Sequence, residues 1–136
     1  MLETFPSKLN PTYYQLEGKK IKEAIKLSFD ENHIRTSGKG SGFRGNTLGC
    51  LSFSHNVKVI ENDIYLNDEL LKDDKLYNLV CDDYLQRGSG YPSLKVADED
   101  ARFDPFFIRD LVLRYLNDEE VFTSCKIKRC YKNLDE

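Results

Sequence analysis

The sequence predicts an α+β domain, a mixed β-sheet with packed helices. Three observations lead there. The strand-like runs are short and unevenly spaced, which suits a doubly wound parallel fold poorly. Two segments carry apolar residues at helical spacing, one near each end of the chain. The length of 136 residues suits a single domain with one real core. We take residues 1–136 as one domain, its core spanning about 5–117 and an extension covering 118–136.

The elements follow in order. Tyr13 to Leu16 reads as a short strand, and Gly18 then opens a helix. In that helix Ile21, Ala24, Ile25 and Phe29 share one face, with Lys19, Lys20, Lys22, Glu23 and Lys26 opposite. Leu48 to His55 is strand-like. Val57–Ile60 and Ile64–Leu66 read as two strands joined by a turn at Glu61-Asn62-Asp63, and Asn67-Asp68 ends that stretch. Leu76 to Cys81 is the most apolar strand and is expected to be the buried one. Asp104-Pro105 has the pattern of a helix start, Asp as N-cap and Pro in the first turn. Phe107, Ile108, Leu111, Val112, Tyr115 and Leu116 then form an apolar face, with Arg109, Asp110 and Arg114 toward water. Phe122 to Asn133 is expected to be a final strand or a docked extension.

Composition narrows the function. Aromatic residues make up 12%, and Lys plus Arg at 20 against Asp plus Glu at 23 give a net charge of −3. Binding to duplex nucleic acid or an anionic membrane calls for a basic excess that this chain lacks. The longest apolar runs, such as Leu111-Val112-Leu113, are far short of the roughly 20 residues that span a bilayer. Met1 to Pro6 has neither the basic nor the apolar region of a secretory signal. A cytoplasmic protein with Cys50, Cys81, Cys125 and Cys130 as free thiols is therefore expected.

Most motifs have a plain reading. Gly40-Ser41-Gly42-Phe43-Arg44-Gly45 matches the dinucleotide fingerprint in letters, but it leads into a strand rather than a helix. A glycine-rich bend is the better reading, with an anion-binding nest aided by Lys39 and Arg44 between the two. His33 and His55 have no second metal ligand at a recognised spacing. No Ser or Cys sits in a nucleophile motif, and the adjacent carboxylates Asp73-Asp74, Asp82-Asp83 and Asp98-Glu99-Asp100 read as turn residues. Tyr84 and Tyr91, flanking Arg87-Gly88-Ser89-Gly90, are either core tyrosines with wet hydroxyls or a stacking platform for a flat ligand.

The order of these segments resembles a known family. Gly18-Lys19-Lys20-Ile21-Lys22-Glu23-Ala24-Ile25 is similar to the "TG-x-x-LKEAL" helix of the 5′-nucleotidase C-terminal domain. Ile64 to Leu71 and Asp73 to Val80 resemble its "V-N-G-x-x-L-D-x-D-x-x-Y-x-V" segment, and Asp83-Tyr84-Leu85 with Gly88-Ser89-Gly90-Tyr91 its "N-D-F/Y-L … GGDGY" segment. Phe5 to Leu16, Gly42-Phe43-Arg44-Gly45 and Phe103 to Leu111 look most like the cytosolic bacterial metallophosphoesterase branch.

The resemblance implies a 5′-nucleotidase C-terminal-domain-like fold and a division of labour. An N-terminal catalytic domain, absent from this chain, would hold two divalent metals, and this chain itself would hold none. The present chain would grip a nucleotide or small phosphate ester through Phe43, Arg44, Asp83, Tyr84, Arg87, Ser89 and Tyr91. Its partners would be that ligand and its own N-terminal catalytic domain, with no nucleic acid and no membrane. Two departures are visible. The family holds the base between two aromatics; Tyr84 matches the second, while the first falls near Pro11-Thr12, where only Tyr13 is at hand. Ser89 stands near the position of the acid in "GGDGY". These leave a second reading open, a non-catalytic packing or dimerisation module whose nucleotide pocket has decayed.

Overall fold

A computed structural model describes residues 8–36 and 50–126. The first strand, β1 (Pro11–Glu17), runs directly into helix α1 (Gly18–Leu27), and a short helix α2 (Glu31–Thr36) follows. Next come a three-stranded meander, β2 (Val57–Ile60), β3 (Asp63–Leu66) and β4 (Glu69–Leu70), then β5 (Leu76–Asp82) and the one-turn helix α3 (Asp83–Gln86). A two-residue strand β6 (Arg102–Phe103) and helices α4 (Ile108–Tyr115) and α5 (Glu119–Ser124) complete the order. The strands form two small sheets, β5-β1-β6 and β2-β3-β4, antiparallel at every pair. The α+β class expected from the sequence is the class observed.

Strand β1 is the centre of its sheet. It alternates with period two, so Thr12, Tyr14 and Leu16 are buried while Tyr13, Gln15 and Glu17 face out. Helix α1 begins without a side-chain cap. Its first donors go to the loop before β5 instead: Gly18 N–H donates to the Lys75 carbonyl at 2.9 Å and Lys19 N–H to that of Asp73 at 3.1 Å. The helix serves two cores. Ala24 joins Tyr14, Leu16, Tyr91 and Leu94, while Ile25 joins Ile64 and Leu71, and Ile21 packs against both clusters.

The hairpin at Val57–Leu66 forms as its sequence predicts. The chain does not stop at Asn67-Asp68, however. Both residues take positive φ, 52° and 64°, and turn it back into β4. Asn and Asp tolerate that left-handed geometry, which suits a two-residue hairpin.

Several expectations are corrected. Residues 50–54 form no strand. Leu51 and Phe53 alternate inward as a strand would, but the segment has no ladder partner among the described residues. Strand β5 is an outer strand, and Leu76 and Val80 are 55% and 66% exposed, so the best-buried strand is β1. An apolar run reads as buried on both faces only if something covers both, and here Tyr77, Leu79 and Cys81 turn inward while Leu76 and Val80 face out.

Asp104-Pro105 opens a turn rather than a helix. Asp104 Oδ1 accepts from Phe106 N–H at 2.8 Å, a capping-type bond. The chain then stays extended because Ile108 N–H donates to the Leu9 carbonyl at 2.8 Å, and α4 starts only after that bond. Arg109 lies over the Phe107 ring instead of reaching freely into water. The tail expected from Phe122 to Asn133 as a strand or docked extension begins as a helix, Glu119–Ser124 capped by Asp118, and not as a strand; residues 127–133 lie outside the described residues.

The last correction concerns the thiols. Cys50 is disulfide-bonded, whereas Cys81 and Cys125 are free; Cys130 lies outside the described residues. An adequate core removes the need for a staple but does not prevent one from forming. Burial, partly offset by the Tyr14 hydroxyl, pushes the Cys81 thiol up to about 11. Cys125 is exposed. Iodoacetamide at neutral pH is therefore expected to label Cys125 at least about tenfold faster than Cys81, with Cys50 labelled only after reduction. Peptide mass spectrometry over a time course checks the order; equal rates at Cys81 and Cys125 would refute it.

Candidate functional site

The segment that carries most of the sequence-predicted site residues begins where β5 ends. Asp82 stays extended and its Oδ1 accepts from Leu85 N–H at 2.8 Å, starting α3. Burial pushes the Asp82 carboxyl above the usual carboxylate range, with the Leu85 and Tyr84 amides pulling the other way. Asp83 is buried at 8% exposure and tied to the start of β1: its N–H donates to the Asn10 carbonyl at 3.1 Å, and its Oδ1 accepts from Asn10 N–H at 3.4 Å. Asn10 also reaches Asp104, whose carbonyl accepts from Nδ2 at 2.8 Å. Asn10 thus clamps three chain segments around Asp83. Nothing in its sequence context marks that role.

Tyr84 is exposed at 37%, and Arg87 is exposed one turn further on. The Arg87 guanidinium lies 3.5 Å from Asp83 Oδ2, so the C-cap residue of α3 has its carboxylate partner in the first residue of that helix. Gly88 ends the helix at φ 85°, donating to the Leu85 carbonyl at 2.9 Å, and Ser89 N–H donates to that of Tyr84 at 2.9 Å. The left-handed turn is a glycine position, and it folds the loop back under the Tyr84 backbone.

The loop is anchored from beneath. Gln86 is fully buried; its Nε2 donates to the Val96 carbonyl at 2.8 Å and to Asp98 Oδ1 at 3.2 Å. Its Oε1 is buried without a hydrogen-bond partner among the described residues. His33 on α2 places Nε2 2.7 Å from the Gly90 carbonyl and its ring edge-on to Tyr91, with 5.6 Å between centroids.

The structure therefore divides the predicted residues. Tyr84 on α3 and Arg87, the residue that caps its C-terminus, are both exposed, and Ser89 is half-buried. Asp83 supports that helix from inside. Tyr91 is 1% exposed and belongs to the core around Tyr14, where burial raises its phenol. Phe43 and Arg44 lie outside the described residues, as does the glycine-rich stretch 37–49. Asn10 and His33, absent from the predicted set, position the site; a lone histidine in a polar stretch gives no signal of such a role.

Among the described residues no cluster of three His, Cys, Asp or Glu side chains is placed to hold a metal ion. Among them, too, no helix is long and apolar enough to cross a membrane. The arrangement can offer a ligand an aromatic face, a guanidinium and a glycine-bounded loop.

No protein-family model matches the chain. It is 29% identical over 116 residues to the uncharacterized metallophosphoesterase YunD of Bacillus subtilis (strain 168). The match takes in 79% of this chain and 25% of that protein, so the chain spans about a quarter of the length of the curated relative it matches. The similarity supports a metallophosphoesterase-like relationship.

Proposed function

We propose that this domain is the ligand-gripping module of a 5′-nucleotidase-like metallophosphoesterase, acting on nucleotides or related small phosphate esters in nucleotide catabolism. In this reading the chain is similar to the C-terminal domain of that family, is itself non-catalytic, and works in the cytoplasm beside its N-terminal catalytic domain. There two divalent metals would activate the attacking water. The contribution of this chain is to bind and orient the remainder of the ester.

One observation carries the reading: Tyr84, on a one-turn helix whose backbone is locked at both ends, and Arg87, at the C-cap of that helix, are both exposed. A fixed aromatic face suits a nucleobase, and a guanidinium fork suits phosphate oxygens. Arg44 is a second candidate for the anionic contact. Asp83 and Tyr91 act as supports, with Phe43 and Ser89 completing the set.

Tyr84→Ala is expected to weaken binding of a nucleoside monophosphate by about 1–3 kcal/mol, roughly 5- to 150-fold. Binding of glycerol phosphate, which has no ring, should be unaffected. Isothermal titration of the folded variant and its parent measures both. Equal loss for the two ligands, or no loss for either, sinks the stacking role.

A second reading has its own support. Arg87 already has a carboxylate partner in Asp83, and Tyr91 is committed to the core. A domain kept for packing or dimerisation, its pocket decayed, would look the same at these two positions. It would bind neither ligand.

A further inference from the structure

No residue of α4 or α5 is buried, although both helices are rich in large apolar side chains. A groove of about 650 Å³ lies between them and β5, bordered by Val80, Asp82, Leu111, Leu116, Phe122 and Cys125. Asp82 is the one charged residue among its described lining. Val80 is 66% exposed and Phe122 53%, so the groove has room for a covering segment.

The cysteines identify that segment. The chain has four. Cys81 and Cys125 are free, and Cys50 is disulfide-bonded. Within one chain, Cys130 is the partner that remains for Cys50. The groove lies on the path between the two. Cys125 lines it, and Lys126, one residue on, lies over the Phe122 ring, 4.9 Å from the centroid. The chain thus leaves α5 beside the groove. Five residues lead from Cys125 to Cys130, a reach of at most about 16–18 Å. At the other end, Cys50 precedes Leu51, which lines a second cavity of about 710 Å³. That cavity and the groove share Val80 and Cys81 as a wall.

We infer that a Cys50–Cys130 disulfide straps residues 126–130 across this groove, and that thiol–disulfide exchange opens and closes the strap. The composition of the strap suits the groove. Ile127 is apolar, and Lys126, Lys128 and Arg129 bring cations to a groove whose described lining carries Asp82. Cys50 is exposed, which gives exchange its access. Closing consumes a low-molecular-weight disulfide. One cysteine thiolate attacks it, forming a mixed disulfide and releasing one small thiol. The other cysteine then displaces the second small thiol, leaving the Sγ–Sγ bond. Two protein thiols are oxidised, the small disulfide is reduced to two thiols, and the protein's two thiol protons end on them.

Peptide mapping of the full chain without reductant is the first test, because cleavage after Lys and Arg places each cysteine in its own peptide. A linked peptide holding Cys50 and Cys130 is expected. It should disappear with excess reduced glutathione and return with oxidised glutathione. Reduction should also lower Tm by about 5 °C or more in the parent, and by nothing in Cys50→Ser.

Hydrogen exchange then reads the groove itself. Amides of α4 should exchange at least about threefold faster in the reduced parent than in the oxidised one, and an apolar dye should bind more strongly. Cys50→Ser and Cys130→Ser should match the reduced parent under either condition, while Cys125→Ser should follow the parent. Cys50 linked to any other cysteine, or to a second chain, overturns the inference. So does a Cys50–Cys130 bond whose reduction leaves α4 exchange and dye binding unchanged, or one that reduced glutathione does not open in the folded chain. The comparison of oxidised and reduced parent needs no variant, so a cysteine variant that fails to fold leaves the test intact.

Discussion

Gly18→Ala is expected to destabilise the domain by about 3 kcal/mol or more, lowering Tm by about 10 °C or more at this chain length. The cause is space. A Cβ at Gly18 would stand 2.1 Å from the Lys72 carbonyl oxygen and 3.0 Å from Tyr77 Cε2. The carbonyl cannot easily swing aside, because its loop is bonded on both flanks. Lys72 N–H donates to the Tyr77 hydroxyl at 2.9 Å, and the carbonyls of Asp73 and Lys75 receive the first donors of α1. Relief of the clash therefore breaks the junction between β1, α1 and β5. Lys20→Ala, two residues on and exposed, is the control and should shift Tm by very little. Thermal melts of the two variants decide the matter; equal Tm values would refute the argument.

Tyr14→Ala is expected to cost about 3–5 kcal/mol, and Tyr14→Phe about 1–3. Tyr14 is 2% exposed on the central strand, and its ring is part of the larger core cluster. Its hydroxyl donates to the Leu94 carbonyl at 2.9 Å and lies 3.4 Å from Cys81 Sγ. Burial, reinforced by that thiol, raises the phenol well above the ordinary tyrosine range, so the hydroxyl stays protonated and able to donate. The alanine variant loses the ring and opens a cavity. The phenylalanine variant keeps the ring and leaves a buried carbonyl without its donor. Denaturant unfolding of both gives the ring and hydroxyl contributions separately. A phenylalanine variant as stable as the parent would show that the bond to Leu94 adds nothing.

Much of the architecture was legible where local pattern and final packing agree. The β1 alternation, the Ile21-Ala24-Ile25 face of α1 and the Val57–Leu66 hairpin all carry their burial in their spacing. Some misreadings trace to partners far away in the chain. The Leu9 carbonyl delays α4 past a proper Asp-Pro start. Leu51 and Phe53 enter two different cores without a neighbouring strand, so a strand pattern yields no strand. At the candidate site, Tyr84 and Arg87 were readable as an aromatic and a cation beside a glycine loop. That Tyr91 turns inward was not, because the core it enters is built in large part from α1 and β1, with His33 against its ring, all distant in sequence.

The two sheets differ in how far apart in the chain their partners lie, and this sets an order of assembly. The β2–β3 hairpin closes through a two-residue turn, an event of microseconds. Strand β1 must instead find β5 across most of the domain, Tyr14 meeting Cys81 at a separation of 67 positions. The entropy of closing so long a loop is lost before any contact rewards it. The hairpin therefore forms early and waits, while α1, with one side in each core, docks only when β1 and β5 have paired. Folding of the central sheet is the slow step, and the rate at which the α3 surface appears is the rate of that pairing.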